Sequence, residues 1–279
     1  MAVNNSLQKS NQRLGLTAYL TKDAVKDQIS KVVGGKDGQR FISAIISATN
    51  TNTMLQECTN QSILSGALLG ESLKLSPSPQ LGHYYLVPFN DREKGKVAQF
   101  QLGYKGYIQL AIRSGQYKKL NVMAIKEGEL EYFDPLNEEI KINLMTENWD
   151  AREELPTIGY YAFFELVNGF RKAIYWSRAQ MESHAMKFSP GYKAKKGYTF
   201  WEKDFDTMAF KTMLRQLISK WGIMSIEMQT AYEGDMAVIN EDGTKNYVET
   251  EENIIEAPVV EESSATEPAN DAASALFNE

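Results

Sequence analysis

Only one cysteine, Cys58, and two histidines, His83 and His184, occur in 279 residues. That scarcity excludes an intrachain disulfide, a cysteine-rich zinc site and a histidine-rich metal centre. It suits a reducing cytoplasm. No apolar run reaches the ~18 residues that cross a membrane, and the polar stretch from Met1 to Gln12 has no signal-peptide core. A Gly-x-x-x-x-Gly-Lys-Ser/Thr run is also missing. Gly34-Gly35-Lys36-Asp37 and the stretch Gly66 to Glu71 both fail the pattern, which argues against a P-loop ATPase. Gly103-Tyr104-Lys105-Gly106 lacks the spacing of a dinucleotide fingerprint. Basic excess is absent as well. The net charge is −6, a balance unlike that of most nucleic-acid binders.

That mean conceals a division. Residues 227–279 hold 14 acids and one base, Lys245, for a net charge of −13. Residues 1–226 hold 29 bases and 22 acids, a net of +7. A basic body that could hold nucleic acid is joined to an acidic tail that could not.

Apolar spacing predicts helices from Thr17 to about Val33, from Asp37 to Ala48 and from Asn60 to Leu73. Strands follow at Tyr84 to Val87 and Lys96 to Gln101, then a helix from Gly103 to Ser114. Tyr117 to Trp176 reads mostly as strand. Asn168-Gly169 there predicts a two-residue hairpin, with Glu165 opposite Lys172 and Phe163 opposite Ile174. Helices from Ser177 to Lys187 and from Glu202 to Trp221 come last. This order predicts an α+β fold, a β-meander and hairpin sheet packed by helices. The expected divisions are an N-terminal arm and helix over 1–35 serving oligomerisation, a core over 36–232, and a mostly disordered acidic tail over 233–279. Leu276-Phe277 at the end of that tail would suit a partner's pocket.

Two helices carry cations at helical spacing. Lys105, Gln109 and Arg113 form one stripe, with Ile108, Ala111 and Ile112 on another side. The open amides at Gly103 and Gly106 would suit a phosphate. Lys211 and Arg215 are four apart, where like charges repel unless an anion bridges them. Phe205, Met208, Ala209, Met213, Leu217 and Trp221 form the apolar side of that helix, and Asp204 and Asp206 suit its N-terminal dipole. Between these helices, Lys187 to Trp201 packs four lysines and five aromatics into fifteen residues. Lysines neutralise phosphates and aromatics stack on unpaired bases. Phe200 and Trp201 are expected in the core, as are Trp149 and Trp176, while Lys193, Lys195 and Lys196 are expected on DNA. His184 and Cys58 read as local packing or surface residues. Asp134, Glu139 and Lys141 imitate a nuclease metal site, but Phe133 to Lys141 reads better as a hairpin.

The run Gln99-Phe100-Gln101-Leu102-Gly103-Tyr104-Lys105-Gly106-Tyr107-Ile108-Gln109-Leu110-Ala111 closely resembles the hallmark segment of the RecT family. Val167-Asn168-Gly169-Phe170-Arg171-Lys172 resembles that family too, as does Trp201-Glu202-Lys203-Asp204-Phe205-Asp206-Thr207-Met208-Ala209-Phe210-Lys211-Thr212 with Arg215 and Ser219-Lys220-Trp221. The likeness spans roughly Leu55 to Thr230.

The resemblance implies a phage or prophage protein with a strand-annealing core. Such a protein binds single-stranded DNA and anneals complementary strands in homologous recombination without ATP. It implies helical or ring oligomers, an annealed duplex intermediate, a 5′→3′ exonuclease partner and work in the cytoplasm of a bacterial host. The host's single-strand-binding protein is a further candidate partner. No covalent chemistry and no cofactor are expected, with Mg²⁺ at most a modulator of annealing. The expected groove is lined by Tyr104, Lys105, Gln109, Arg113, Lys187, Lys193, Lys195, Lys196, Lys203, Lys211 and Arg215. A metal-dependent nuclease and a passive single-strand-protecting protein are the alternatives.

Overall fold

The computed structural model describes residues 15–34, 37–91, 94–197 and 199–247. The segments expected as a loose N-terminus and as the end of the acidic tail lie outside the described residues. The architecture is α+β, as expected. The N-terminal helices are α1 (Leu16–Leu20), α2 (Asp23–Val33), α3 (Gly38–Thr51) and α4 (Asn60–Ser72), with a 3₁₀ turn at Thr53–Glu57. The single helix expected over Thr17–Val33 is broken at Thr21 and Lys22. Strands β1 (Tyr84–Asp91) and β2 (Gly95–Leu102) form an antiparallel hairpin that leads into α5 (Tyr104–Ser114).

A second antiparallel sheet has the order β3-β6-β7, from β3 (Tyr117–Lys126), β6 (Thr157–Leu166) and β7 (Arg171–Ser177). Between β3 and β6 the chain makes an excursion. It comprises the hairpin β4 (Leu130–Asp134) and β5 (Glu139–Ile142) and the short helix α6 (Trp149–Glu154). The helices α7 (Arg178–Phe188), α8 (Pro190–Lys193), α9 (Phe200–Lys203), α10 (Phe205–Trp221) and α11 (Ile226–Gly234) follow. Asp204 ends α9 and accepts a hydrogen bond from Thr207 N at 3.0 Å as the cap of α10. The one helix expected over Glu202–Trp221 is therefore two.

The chain does not leave the fold at residue 232. The strands β8 (Ala237–Ile239) and β9 (Lys245–Tyr247) extend the first sheet to the order β1-β2-β8-β9. Met236 N donates to Phe100 O at 2.8 Å, and Gln99 Nε2 to Met236 O at 2.6 Å. The boundary expected at 232–233 is corrected accordingly: the acidic composition begins inside the folded body, and residues 235–247 are part of it.

The β6–β7 hairpin also differs by one residue. Glu165 pairs with Arg171, Phe164 with Lys172 and Ala162 with Ile174. Gly169 N bonds Leu166 O and Leu166 N bonds Phe170 O, so the loop is the three residues Val167-Asn168-Gly169. Gly169, at φ 88°, supplies the left-handed closing position. A one-residue shift sends every side chain of β7 to the opposite face. Lys172, Ile174 and Trp176 consequently turn inward.

α10 lies between two apolar clusters. Leu214 and Ile218 join the core built from α2–α5 and the four-stranded sheet, while Ala209, Met213 and Leu217 join the one under β6 and α7. A helix buried on two sides has little surface left, and this placement decides the fate of its cations. Its last residue, Trp221, is 46% exposed, and Trp149 is 51% exposed, so neither belongs to the core. Cys58 is buried.

Candidate nucleic-acid interface

At the start of α5 the chain passes very close to the segment that precedes β1. A Cβ at Gly103 would overlap Gly82 O, and one at Gly106 would overlap His83 O. Gly103 N donates to His83 O at 2.8 Å, and Gly106 N to Gly103 O at 3.0 Å. These glycines serve backbone packing rather than the phosphate slot expected there. On the helix itself Ile112 is 62% exposed and the buried side is Gly106, Tyr107, Leu110 and Ala111.

Lys105 is exposed, with its ammonium 5.9 Å from the Tyr104 ring. Tyr104 is half-buried against Phe210 at 5.7 Å. Tyr85 on β1 packs on Phe200 at 5.7 Å between ring centres. Burial raises the Tyr85 hydroxyl above the usual phenol range, and Tyr104 and Asp204 add to the rise. Nearby, His83 is held below the ordinary imidazole range by burial and then by the positive charges of Arg113 and Lys105. The surroundings are electropositive and aromatic.

Phe200 joins this surface to the lysine-rich segment, whose described residues are held by local caps. Ser189 accepts from Tyr192 N as the cap of α8, and Lys195 sits at φ 49°. Thr199 and Glu202 form a reciprocal capping box at α9, and Glu202 also accepts from Gly197 N at 2.8 Å. Trp201 is 7% exposed and packs 5.0 Å from Phe205, as expected of a core residue. Phe200 is 44% exposed and does not enter the core. Lys187, Lys193, Lys195, Lys196 and Lys203 are exposed.

Lys211, Arg215 and Arg113, by contrast, have structural partners. Lys211 is buried, its ammonium 2.9 Å from the Asp235 carboxylate. Arg215 is half-buried, 2.6 Å from the other carboxylate oxygen and 4.1 Å above the Tyr232 ring. Asp235, 1% exposed, also accepts from Leu102 N at 2.9 Å and from the Tyr107 hydroxyl at 3.4 Å. Burial lowers the Lys211 pKa, and the Asp235 charge opposes that shift. The spacing of Lys211 and Arg215 demanded a bridging anion, and the chain supplies it as Asp235 rather than as a phosphate. Arg113 reaches back to α4, donating to Leu73 O at 2.6 Å and to Lys74 O at 3.4 Å. Gln109 is half-buried on the same helix.

The nuclease lookalike is a turn. Asp134 accepts from Leu136 N at 2.8 Å, Asn137 N at 3.2 Å, Asn137 Nδ2 at 2.7 Å and the Tyr132 hydroxyl at 3.3 Å. These bonds hold its carboxyl below the usual range, with the Asn137 side chain contributing most. Lys141 pairs with Glu131 at 2.5 Å. Among the described residues no group of three or more His, Cys, Asp or Glu is placed to hold a metal ion.

Sequence reasoning missed Tyr85 and the exposure of Phe200. It also missed a cationic group at Glu165, whose carboxylate lies 2.7 Å from Lys118, 3.0 Å from Arg171 and 3.7 Å from Lys119. The adjacent pair Lys118-Lys119 at the head of a strand was the available signal. His184 packs among Trp176, Phe188 and Trp201, and burial, followed by Lys187 and Arg215, lowers its pKa to about 4. Among the described residues no helix is long and apolar enough to cross a membrane.

Comparison with known proteins agrees with the hallmark segments. "Uncharacterized protein YqaK" of Bacillus subtilis (strain 168) is 40% identical over 276 residues, covering 96% of this chain and 88% of that protein. "Protein RecT" of Escherichia coli (strain K12) is 29% identical over 222 residues, covering 78% and 79%. The RecT family model matches residues 39–253, a span that includes α5, the lysine-rich segment, α10 and the strands β8 and β9. On the breadth of that match, the chain belongs to the RecT family.

Proposed function

We propose that this protein binds single-stranded DNA and anneals complementary strands in phage-type homologous recombination. One observation carries the reading beyond family membership: Phe200 packs on Tyr85, which neighbours Tyr104 and Lys105, at the end of a lysine-rich segment whose cations are exposed. Lysines there neutralise the backbone without reading sequence. Exposed rings offer stacking faces to unpaired bases. Specificity comes from base pairing, and the protein contributes alignment and charge neutralisation, so no covalent step is needed. Lys105, Lys187, Lys193, Lys195, Lys196, Lys203 and Tyr104 form the proposed contact set, together with Tyr85 and Phe200. Lys211, Arg215 and Arg113 support the surface from behind.

Annealing proceeds without ATP, with Mg²⁺ at most a modulator, on a helical or ring homo-oligomer in the bacterial cytoplasm. A 5′→3′ exonuclease supplies the single strands, and the host single-strand-binding protein is a candidate partner. The test mixes the protein with two labelled complementary oligonucleotides in the absence of nucleotide. Faster duplex formation without shortening of either strand is expected. Unchanged or slowed renaturation would mean a passive binder, and shortened products would mean a nuclease; either refutes the reading.

A further inference from the structure

Residues 187–203 hold five lysines and one acid, Glu202, a net charge of +4. Among the described residues no ion pair engages Lys105, Lys187, Lys195, Lys196 or Lys203, and all five are exposed. Phe200 beside them is 44% exposed. A cationic surface with an open ring is left without an anion from the folded body.

Strand pairing brings the end of the described chain to this surface. In the first sheet Leu86 pairs with Phe100, Phe100 with Ala237 and Ala237 with Tyr247. Tyr247 is therefore three strand spacings from Leu86, about 15 Å at ~4.8 Å each. Tyr85 is the neighbour of Leu86 on β1. Every pairing in this sheet is antiparallel, so β9 runs opposite to β1. The chain at Tyr247 is thus heading for the end of the sheet that holds Tyr84 and Tyr85, where β2 passes into α5. Lys105 stands there as well: a Cβ at Gly82 would lie 3.0 Å from the Tyr85 hydroxyl and 3.3 Å from Lys105 Cδ. Two contacts fix the exit point. The Tyr247 hydroxyl donates to Glu233 O at 2.5 Å, and Lys245 pairs with the Glu233 carboxylate at 2.5 Å.

Residues 248–279 lie outside the described residues. Their sequence holds nine acids, no base and the apolar pair Leu276-Phe277. An extended residue spans ~3.4 Å, so about five of them cross the gap to Tyr85, and six of the nine acids lie beyond those five. Carboxylates along a chain offer the lysines what phosphates offer, and Phe277 offers Phe200 an aromatic partner. We propose that the acidic tail docks on the lysine segment and on the Tyr85–Phe200 pair when DNA is absent, and that a single strand has to displace it. The inference rests on the single-strand-binding reading and adds an internal competitor to it. Most of the tail, residues 254–279, lies beyond the family match, so membership does not already contain it. A tethered competitor acts at about millimolar effective concentration when its tether is short. Against a docking constant of ~0.1 mM, the weak end of non-specific contacts, it lowers the apparent affinity about tenfold. Brief contacts lose to the tail, while a strand long enough to meet several lysines displaces it.

A full-length chain in which every tail Glu is replaced by Gln, together with Asp271→Asn, tests it. Its affinity for a labelled single-stranded oligonucleotide should rise about tenfold at low salt. Its salt dependence should be steeper than that of the wild type, whose competing tail is itself weakened by salt. Circular dichroism checks the fold. A labelled peptide of residues 248–279 separates docking from mere repulsion of DNA. It should bind the neutralised chain, leave when unlabelled oligonucleotide is added, and bind several-fold more weakly after Phe200→Ala or after Lys195→Ala with Lys196→Ala. Peptide that stays bound under saturating oligonucleotide, or that ignores those substitutions, would place the tail elsewhere. Equal affinity and equal slope for the wild type and the neutralised chain would overturn the competition while leaving the DNA reading intact. If neither chain binds the oligonucleotide, the DNA reading falls, and the competition falls with it.

Discussion

Replacing Asp235 by alanine removes the one carboxylate that serves Lys211, Arg215, Leu102 N and Tyr107 together. Lys211 stays 8% exposed and keeps no counter-charge, because Arg215 beside it has the same sign. Breaking a buried ion pair from one side costs about 3–5 kcal/mol, chiefly through the charge left behind. A buried amide left without its acceptor, here Leu102 N, belongs to the same penalty at ~1–3 kcal/mol. For a domain of this size 1 kcal/mol shifts Tm by roughly 2–4 °C. Asp235→Ala should therefore lower Tm by roughly 6–20 °C, read by thermal or urea unfolding. Lys211→Met alone should cost less, since Asp235 keeps Arg215. Adding Lys211→Met to Asp235→Ala should recover part of the loss, because no bare ammonium remains at that position. That non-additivity is the signature of direct coupling, ~0.5–3 kcal/mol for residues in one network. A Tm within about 2 °C of wild type for Asp235→Ala would mean that the cluster is hydrated. Lys211 would then be available to DNA after all.

A chain ended after Tyr247 should fold as the full protein does, whereas one ended after Thr230 should not. The shorter chain loses Asp235, β8 and β9, and circular dichroism melts separate the two. Lys105→Ala, Lys195→Ala and Lys196→Ala combined should flatten the dependence of log affinity on log salt by ~2, at ~0.7 per phosphate contact on a single strand. An unchanged slope would remove these lysines from the interface. Phe200→Ala should weaken oligonucleotide binding by ~1–3 kcal/mol through lost stacking, with little change in Tm because the ring is 44% exposed. His184 has a folded pKa of about 4, against about 6.5 in an unfolded chain. Between these values the unfolded state binds the proton first, so His184 makes stability fall as pH drops from about 6.5 to about 4 and level off below. His184→Phe should shrink that fall, and identical pH–stability curves for the two proteins would refute it.

Helices and strands with strong periodic patterns were legible because their side chains repeat on one face. α4, β1, β2, α5 and α7 stand within a few residues of their expected limits. Two expectations at α10 and β7 failed for physical reasons that no local pattern carries. A helix wheel places Lys211 and Arg215 opposite the apolar face and so in solvent, yet α10 is packed from two sides and Asp235 arrives from twenty-four residues beyond Lys211. The hairpin register depended on whether Asn168-Gly169 closes a two- or three-residue loop, a choice of one residue that turned Lys172 inward.

By itself the sequence determined the class, the exposed lysine segment and, through its long ordered motifs, the family. Local spacing and local chemistry are written residue by residue. It also separated a basic body from an acidic tail, though it set the border too early. Tertiary structure alone decided which of the cations on the helices face water. Burial and ion pairing depend on groups distant along the chain, so Asp235 became an internal counter-ion, Phe200 came to lie on Tyr85, and Glu165 came to hold three exposed cations where β6 turns into β7.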